Sequence, residues 1–221
     1  SNPVGSGLAQ SLARPGGNVT GISQQWEDLP PKTIEILREL LPRLTRIGFL
    51  LDATYSGSKG IETNAQKSAL SVGATLVPYY VASRTELEKA FGTMAKSRPD
   101  ALLIGGGGVL RNHLEMIVEN CRRLRIPFPT VPGVANDTAQ AALFLFGANW
   151  VQGYRDAASY VDRILKGAKA GDLPIEQPTK FELVINLKAA KQLDLKLPLS
   201  LLGRAEEVAV LQRAVGPVVG G

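Results

Sequence analysis

Residues 47–58 read IGFLLDATYSGS, and this stretch decides the fold. Ile47 to Leu51 is a short apolar run with no polar alternation, the mark of a strand buried on both faces. It gives way at Asp52 to a polar loop that leads into a helix running to about Val72 and closed by Gly73. The same unit then repeats. Thr75 to Val81 predicts a second strand, and Thr85 to Ser97 a second helix, opened by a capping box between Thr85 and Glu88. Arg98-Pro99-Asp100 turns the chain into a third strand, Ala101 to Ile104, which runs into four consecutive glycines. A third helix is expected over Leu110 to Leu124, a fourth strand over Ile126 to Val131, and a short helix over Asn136 to Ala142. Strand and helix alternate with short connections and no hairpin signals. That pattern predicts an α/β fold: a three-layer α/β/α Rossmann-like lobe with a parallel sheet, strand order beginning 2-1-3 and the polar loops on one edge.

The flanks are less regular. Leu8 to Ala13 predicts a short helical stretch stopped by Arg14-Pro15-Gly16-Gly17, and Asn18 to Ser23 a short strand. Leu29-Pro30-Pro31 punctuates the chain, and Thr33 to Leu41 has helical periodicity ended by Pro42. Leu143 to Phe146 predicts a strand, Val151 to Lys166 a long amphipathic helix closed by Gly167, and Asp172 to Lys180 a proline-rich extended segment. Phe181 to Ile185 follows as a strand and Lys188 to Leu193 as a helix; the Gly/Val-rich tail from Ala214 is expected to be disordered.

Composition removes several functions. Of 221 residues, 44% are hydrophobic and 20% charged, ordinary for a globular chain with a proper core. No apolar run reaches the roughly 18 residues needed to span a bilayer, and Ser1 to Gly7 has neither the basic start nor the apolar stretch of a signal peptide. The net charge of +5 raises the question of nucleic acid. The cations are scattered among acids, though, and no aromatic platform interleaves them, so no nucleic-acid partner is expected. The densest basic group, Arg122-Arg123-Leu124-Arg125, ends a predicted helix, where cations suit the macrodipole.

The run Gly105-Gly106-Gly107-Gly108 does not make a dinucleotide fingerprint, because the third glycine would fall at Leu110 or Arg111. Gly57-Ser58-Lys59-Gly60 lacks the order of a P-loop. His113 is the one histidine, which excludes a multi-histidine metal site, and no nucleophile elbow accompanies it. Cys121 sits on the apolar face of a predicted helix with Leu114, Ile117, Val118 and Leu124, where cysteine acts as a small hydrophobe. No catalytic set, metal site or cofactor is expected, and the reading is of a protein that is not an enzyme.

Open α/β sheets bind small ligands outside the carboxyl ends of their strands. Three loops there are rich in small polar residues. The first offers Asp52, Thr54, Tyr55 and Ser56; the second Gly105, Gly106 and Gly107; the third, Gly133-Val134-Ala135-Asn136-Asp137, offers Val134, Asn136 and Asp137. Hydroxyls and helix-terminal N–H groups suit a carboxylate, and Asp52 or Asp137 could pair an ammonium. Ordinary helix capping by the same residue types is the competing reading.

Several segments resemble a known family. Pro3-Val4-Gly5-Ser6-Gly7-Leu8 and Ser11-Leu12-Ala13-Arg14-Pro15-Gly16-Gly17-Asn18-Val19-Thr20-Gly21 are similar to the ABC transporter substrate-binding proteins of the tryptophan/tyrosine type. So are the stretch from Ala158 to Ala168 and the stretch from Asp172 to Lys188. The resemblance implies a periplasmic-binding-protein type I fold, two lobes closing on a small polar ligand such as an amino acid or related carboxylate. It further implies delivery to an ABC permease in the membrane, and a periplasmic location or a lipid anchor outside the cell. On that reading residues 1–31 are the end of a first lobe and hinge, 32–146 the second lobe, and 147–221 the return to the first lobe, hinge and tail. Most of the first lobe would be missing, and the fragment would be prone to self-association. The cleft loops depart from the family pattern: Asp52-Ala53-Thr54-Tyr55-Ser56 stands where relatives commonly have Asn-Pro, and four glycines stand where they have acidic or aromatic residues. Ligand identity therefore does not transfer. Two alternatives share the fold: an effector-binding domain of a transcription regulator, marked by an upstream helix-turn-helix, and a small nucleotide-dependent enzyme, marked by turnover.

Overall fold

A computed structural model describes residues 3–23, 28–132, 136–148, 150–202 and 207–209. The apolar run at 47–51 lies inside β1 (Arg46–Asp52), whose residues are all buried except the first. A strand with helices on both faces has no wet side, so it carries no polar alternation. β1 pairs in parallel with β2 (Thr75–Val81) on one side and β3 (Ala101–Ile104) on the other, giving the expected order β2-β1-β3. Between them run α2 (Ser58–Ser71) and α3 (Arg84–Ser97). Ahead of β1 lies α1 (Leu29–Leu40), and after β3 come α4 (Gly108–Asn112) and α5 (Leu114–Leu124).

The pleat sorts the β1 side chains. Ile47, Phe49 and Leu51 enter a core with Ile34, Leu37 and Leu40 of α1 and Ile61 and Ala65 of α2. Leu50 enters the opposite core with Phe91 and Met94 of α3 and Ile117 and Cys121 of α5. This is the three-layer arrangement in residue terms.

A second sheet continues beside β3. β4 (Pro129–Thr130) pairs in parallel with β5 (Phe144–Gly147), β5 antiparallel with β6 (Glu182–Asn186), and β6 in parallel with β7 (Glu207–Ala209). The N–H of Leu102 donates to the Pro127 carbonyl at 2.9 Å, tying β3 to the segment that feeds β4. α6 (Asn136–Ala141) lies between β4 and β5, and α7 (Trp150–Leu165) between β5 and β6. α8 (Leu187–Gln192) and α9 (Leu199–Leu202) follow β6. Leu183, Ile185, Ala190 and Leu201 share the α1/α2-side core with Phe144 and Phe49. The packing of the 32–146 lobe therefore does not stop at residue 146.

Several sequence expectations are corrected in detail. The helix expected over 110–124 breaks at His113 into α4 and α5. The fourth strand shrinks to Pro129–Thr130, because Pro127 and Pro129 carry no N–H for a ladder. α1 begins at Leu29, with Pro30 and Pro31 in the first turn, where a missing N–H costs nothing. The cap of α3 is Ser83, not Thr85: its Oγ accepts from the Glu86 N–H at 3.3 Å, while the Glu86 carboxylate accepts from the Ala82 N–H at 2.7 Å. Serine-x-x-glutamate fits two residues earlier equally well, so the spacing alone did not choose.

Residues 8–13 form turns and not a helix, and 18–23 contribute a single parallel bridge, Ile22 to Glu176. That bridge belongs to a small subassembly. The Ile175 N–H donates to the Leu12 carbonyl at 2.7 Å, the Ser23 N–H to that of Glu176 at 2.8 Å, and the Thr20 hydroxyl to that of Leu173 at 2.7 Å. The tail from Ala214 lies outside the described residues. No helix among them is long and apolar enough to cross a membrane.

Candidate functional site

Because β1 and β3 are parallel neighbours, the loops that follow them leave the same edge side by side. Asp52, the last residue of β1, is fully buried at that edge. Its Oδ1 accepts from the Thr54 N–H at 2.8 Å and the Thr54 hydroxyl at 2.6 Å. Its Oδ2 reaches across to accept from the Val109 N–H at 2.9 Å, at the start of α4. The Asp52 carbonyl accepts from the Ser58 hydroxyl at 2.6 Å, which ties the start of α2 to the same residue. Burial pushes the Asp52 carboxyl upward, but the bonds from the Thr54 side chain, the Val109 N–H and the Thr54 and Tyr55 N–H groups outweigh it and hold the pKa below the ordinary 3.8.

The glycine run fits around this carboxylate. Gly107 has φ of 126°, and a Cβ there would stand 2.3 Å from the Asp52 Oδ2. The Gly105 N–H donates to the Leu50 carbonyl at 2.8 Å, and a Cβ at 105 would come within 2.9 Å of that oxygen. The glycines thus let the second loop close onto the first. Asp52 ties the two loops together, and its fully buried carboxylate faces the protein's own donors.

The other expected residues are placed unevenly. Thr54 and Ser56 are exposed and Tyr55 half-buried on the first loop, and Gly105, Gly106 and Gly107 are half-buried on the second. Val134 lies outside the described residues. Asn136 opens α6, and nothing is described of its side chain. Asp137 is exposed, and its backbone carbonyl accepts from Arg122 Nη2 at 3.3 Å. Among the described residues the third segment comes near the other two at Thr130 and Val131, just ahead of its loop.

Those residues help enclose a cavity of about 60 Å3 beneath the edge. Its walls include Phe49 of β1, Ile61 of α2 and Phe146 of β5, with Gly105 and Gly106 beside them. Phe146 stacks on Phe181, ring centres 6.0 Å apart. Thr33, from α1, spends its hydroxyl on the Leu29 carbonyl at 2.8 Å. A reading aimed at polar loops misses Phe146 and Ile61. Their signal was an apolar residue at the last positions of a strand or in the first turn of the next helix. A second, polar groove of about 670 Å3 lies between α7 and residues 176–182, with Gln152, Asp156 and Lys180 on its walls. None of the expected residues lines it.

The Cys121 thiol is pushed up to about 12 by burial, out of reach of nucleophilic work at neutral pH. His113 places Nδ1 at 2.9 Å from the Val109 carbonyl, at the break between α4 and α5. Among the described residues no His, Cys, Asp and Glu cluster is suited to a metal ion.

The profile of the family described as ABC transporter substrate binding protein matches residues 1–209. The tyrosine-binding protein of Clostridioides difficile (strain R20291) is 24% identical over 196 residues, 88% of this chain and 55% of the relative. The chain thus spans little more than half the length of that curated relative. The ABC domain from Streptococcus pneumonia, solved in complex with L-Trp, is 25% identical with a TM-score of 0.83, covering 95% of this chain and 71% of the other. A conserved domain protein from Vibrio cholerae O1 biovar eltor is 26% identical with a TM-score of 0.80, covering 94% and 68%. The architecture is that of the type I periplasmic binding proteins.

Proposed function

The chain belongs to the ABC transporter substrate binding protein family, and on that premise we propose that it is the solute-binding component of an uptake transporter. Its ligand is a small polar molecule, an amino acid or related carboxylate, held at the carboxyl edge of the parallel sheet. The observation that supports this reading most is the tie through Asp52, which fixes two ligand-facing loops in one arrangement before any ligand arrives. Preorganised loops spare a binding site part of the ordering cost of association. Thr54, Tyr55, Ser56, Gly106 and Gly107 are the groups offered to the ligand from those loops, with Asp137 and Asn136 on the third.

The family is one of binding proteins and not of enzymes, and this chain is assigned no reaction. Its work is to deliver ligand to an ABC permease from the outer side of the membrane. α7 exposes Tyr154 (71%) and Leu165 (82%), and through this face self-association is expected.

Thermal shift and calorimetry with the twenty L-amino acids and short carboxylates test the proposal. A ligand present at a hundredfold its Kd stabilises by about 2.7 kcal/mol, which is about 5–10 °C in Tm for a chain of this size. The expected result is saturable binding of one chemical class. No response to any of these compounds, or equal weak responses to all, would remove the proposal.

A further inference from the structure

The cavity beneath the carboxyl edge differs in kind from the loops above it. Its side walls are aliphatic and aromatic: Leu29, Phe49, Ile61, Leu103, Val131 and Phe146. Among the described residues no ionisable side chain lines it. Of its two hydroxyls, that of Thr33 is already bonded to the Leu29 carbonyl. A charged group entering here would lose its water and find no counter-charge.

Its size is equally restrictive. The volume is about 60 Å3, whereas an apolar cavity that holds one benzene ring is about 150 Å3. The space suits a branched chain of three or four carbons, whereas a phenol or an indole would extend out through its open mouth.

Gly106 supplies the independent sign that this space is kept for something. Gly105 and Gly107 are explained by the backbone, since a Cβ on either would strike Leu50 or Asp52. Gly106 has no such reason. Its φ lies outside the left-handed region, and among the described residues a Cβ there would meet only the Tyr55 ring, at an ordinary 3.7 Å. Gly106 lines the cavity, so any side chain longer than a methyl would project into it or across its mouth.

Resting on the solute-binding reading above, we infer that this cavity receives the side chain of the ligand and selects a short, uncharged aliphatic amino acid of the valine or leucine class. Ile61 sits one turn into α2, so an aliphatic chain seated against it leaves the ligand's charged end beside Tyr55, Ser56 and the first turn of α2. There the positive end of the α2 dipole suits a carboxylate.

The test is calorimetry on the full 221-residue chain with L-alanine, L-valine, L-leucine, L-tyrosine, L-tryptophan, L-lysine and L-glutamate. Valine or leucine should bind tightest, with affinity rising about fourfold per methylene over alanine. The aromatic pair should bind at least tenfold more weakly than leucine, and lysine and glutamate weakest of all. Gly106→Val should weaken leucine binding at least tenfold while leaving Tm within a few degrees. Phe146→Leu, which trims a half-buried wall, should narrow the gap between leucine and tyrosine. Tyrosine, tryptophan or a charged amino acid binding as tightly as leucine would overturn the inference and leave solute binding standing. So would a folded Gly106→Val variant with unchanged leucine affinity. Absence of saturable heat with these ligands and with short carboxylates would instead remove the solute-binding reading beneath it.

Discussion

The loops after β1 and β3 leave one sheet edge, the loop after β4 follows a strand of the second sheet, and the two places are held in different ways. The first two share one buried carboxylate, which takes a hydroxyl and an N–H from its own loop and an N–H from its neighbour. The third has no such tie among the described residues, and its acidic residue, Asp137, is exposed. The same residue type therefore does opposite work in the two places. Asp52 spends its charge on the protein; Asp137 keeps its charge for solvent or ligand.

Substitutions can break or sharpen that contrast. The largest effect belongs to Asp52→Ala, which removes from a buried position the acceptor shared by the Val109 N–H and both Thr54 donors. Charge-assisted bonds of this kind are worth about 1.5–3 kcal/mol, and the unpaired donors add their own penalty. A total of about 3–5 kcal/mol is expected, read as a shift in urea midpoint. Ligand affinity should fall with it, and hydrogen exchange should quicken at Val109 ahead of the β2 amides.

Gly107→Ala comes next. It combines φ of 126° with a Cβ at 2.3 Å from the Asp52 carboxylate. A loss of about 2–4 kcal/mol is expected from strain and displacement together, with the melting temperature as the readout.

Acid should act on the same tie more gently. The folded-state pKa of Asp52 is depressed below 3.8, so its contribution to stability is fully present above that value. The contribution is lost as pH falls through the folded pKa, because protonation removes a charge the N–H donors favour. Wild type should lose more stability between pH 5 and pH 2.5 than Asp52→Asn does. Equal slopes for the two proteins would break the link between charge and loop closure. The smallest effect is assigned to Asp137→Ala, within about 0.5 kcal/mol of wild type. Any larger change in its affinity for ligand would show the third loop to be a true contact.

Much of this organisation was legible in the residues. The buried strand at 47–51, the order 2-1-3 and the shared edge of the loops after β1 and β3 follow from an apolar run, a period and the handedness of crossovers. What escaped the sequence was long-range pairing. Asp52 and Val109 are far apart in the chain, and nothing in Asp52-Ala53-Thr54 says that one oxygen will reach α4. A carboxylate beside small polar residues reads equally as a ligand group, a cap or a tie. The prolines at 127 and 129 did announce a weak fourth strand, but the apolar run IPFPTV outweighed them in the reading. The segment 8–13 has the apolar spacing of a helix, but its N–H groups at Leu8, Ala9 and Gln10 donate to the Pro3 and Pro15 carbonyls, and the Leu12 carbonyl accepts from Ile175.

The stacked rings of Phe146 and Phe181 have a consequence for how the chain could be rebuilt. Gly147 and Glu182 are register partners in the antiparallel β5–β6 pair. Everything from 148 to 181 therefore leaves and re-enters through a single narrow neck, as an oversized hairpin loop would. Closing a flexible loop costs only about 0.6 kcal/mol more for each doubling of its length. By that arithmetic the excursion is nearly neutral to the sheet beneath it. A two-residue Asn-Gly turn joining Gly147 to Glu182 should leave the β5–β6 ladder in register. The sheet is a chassis, and the excursion is a module whose other attachment is the strip at 12–23.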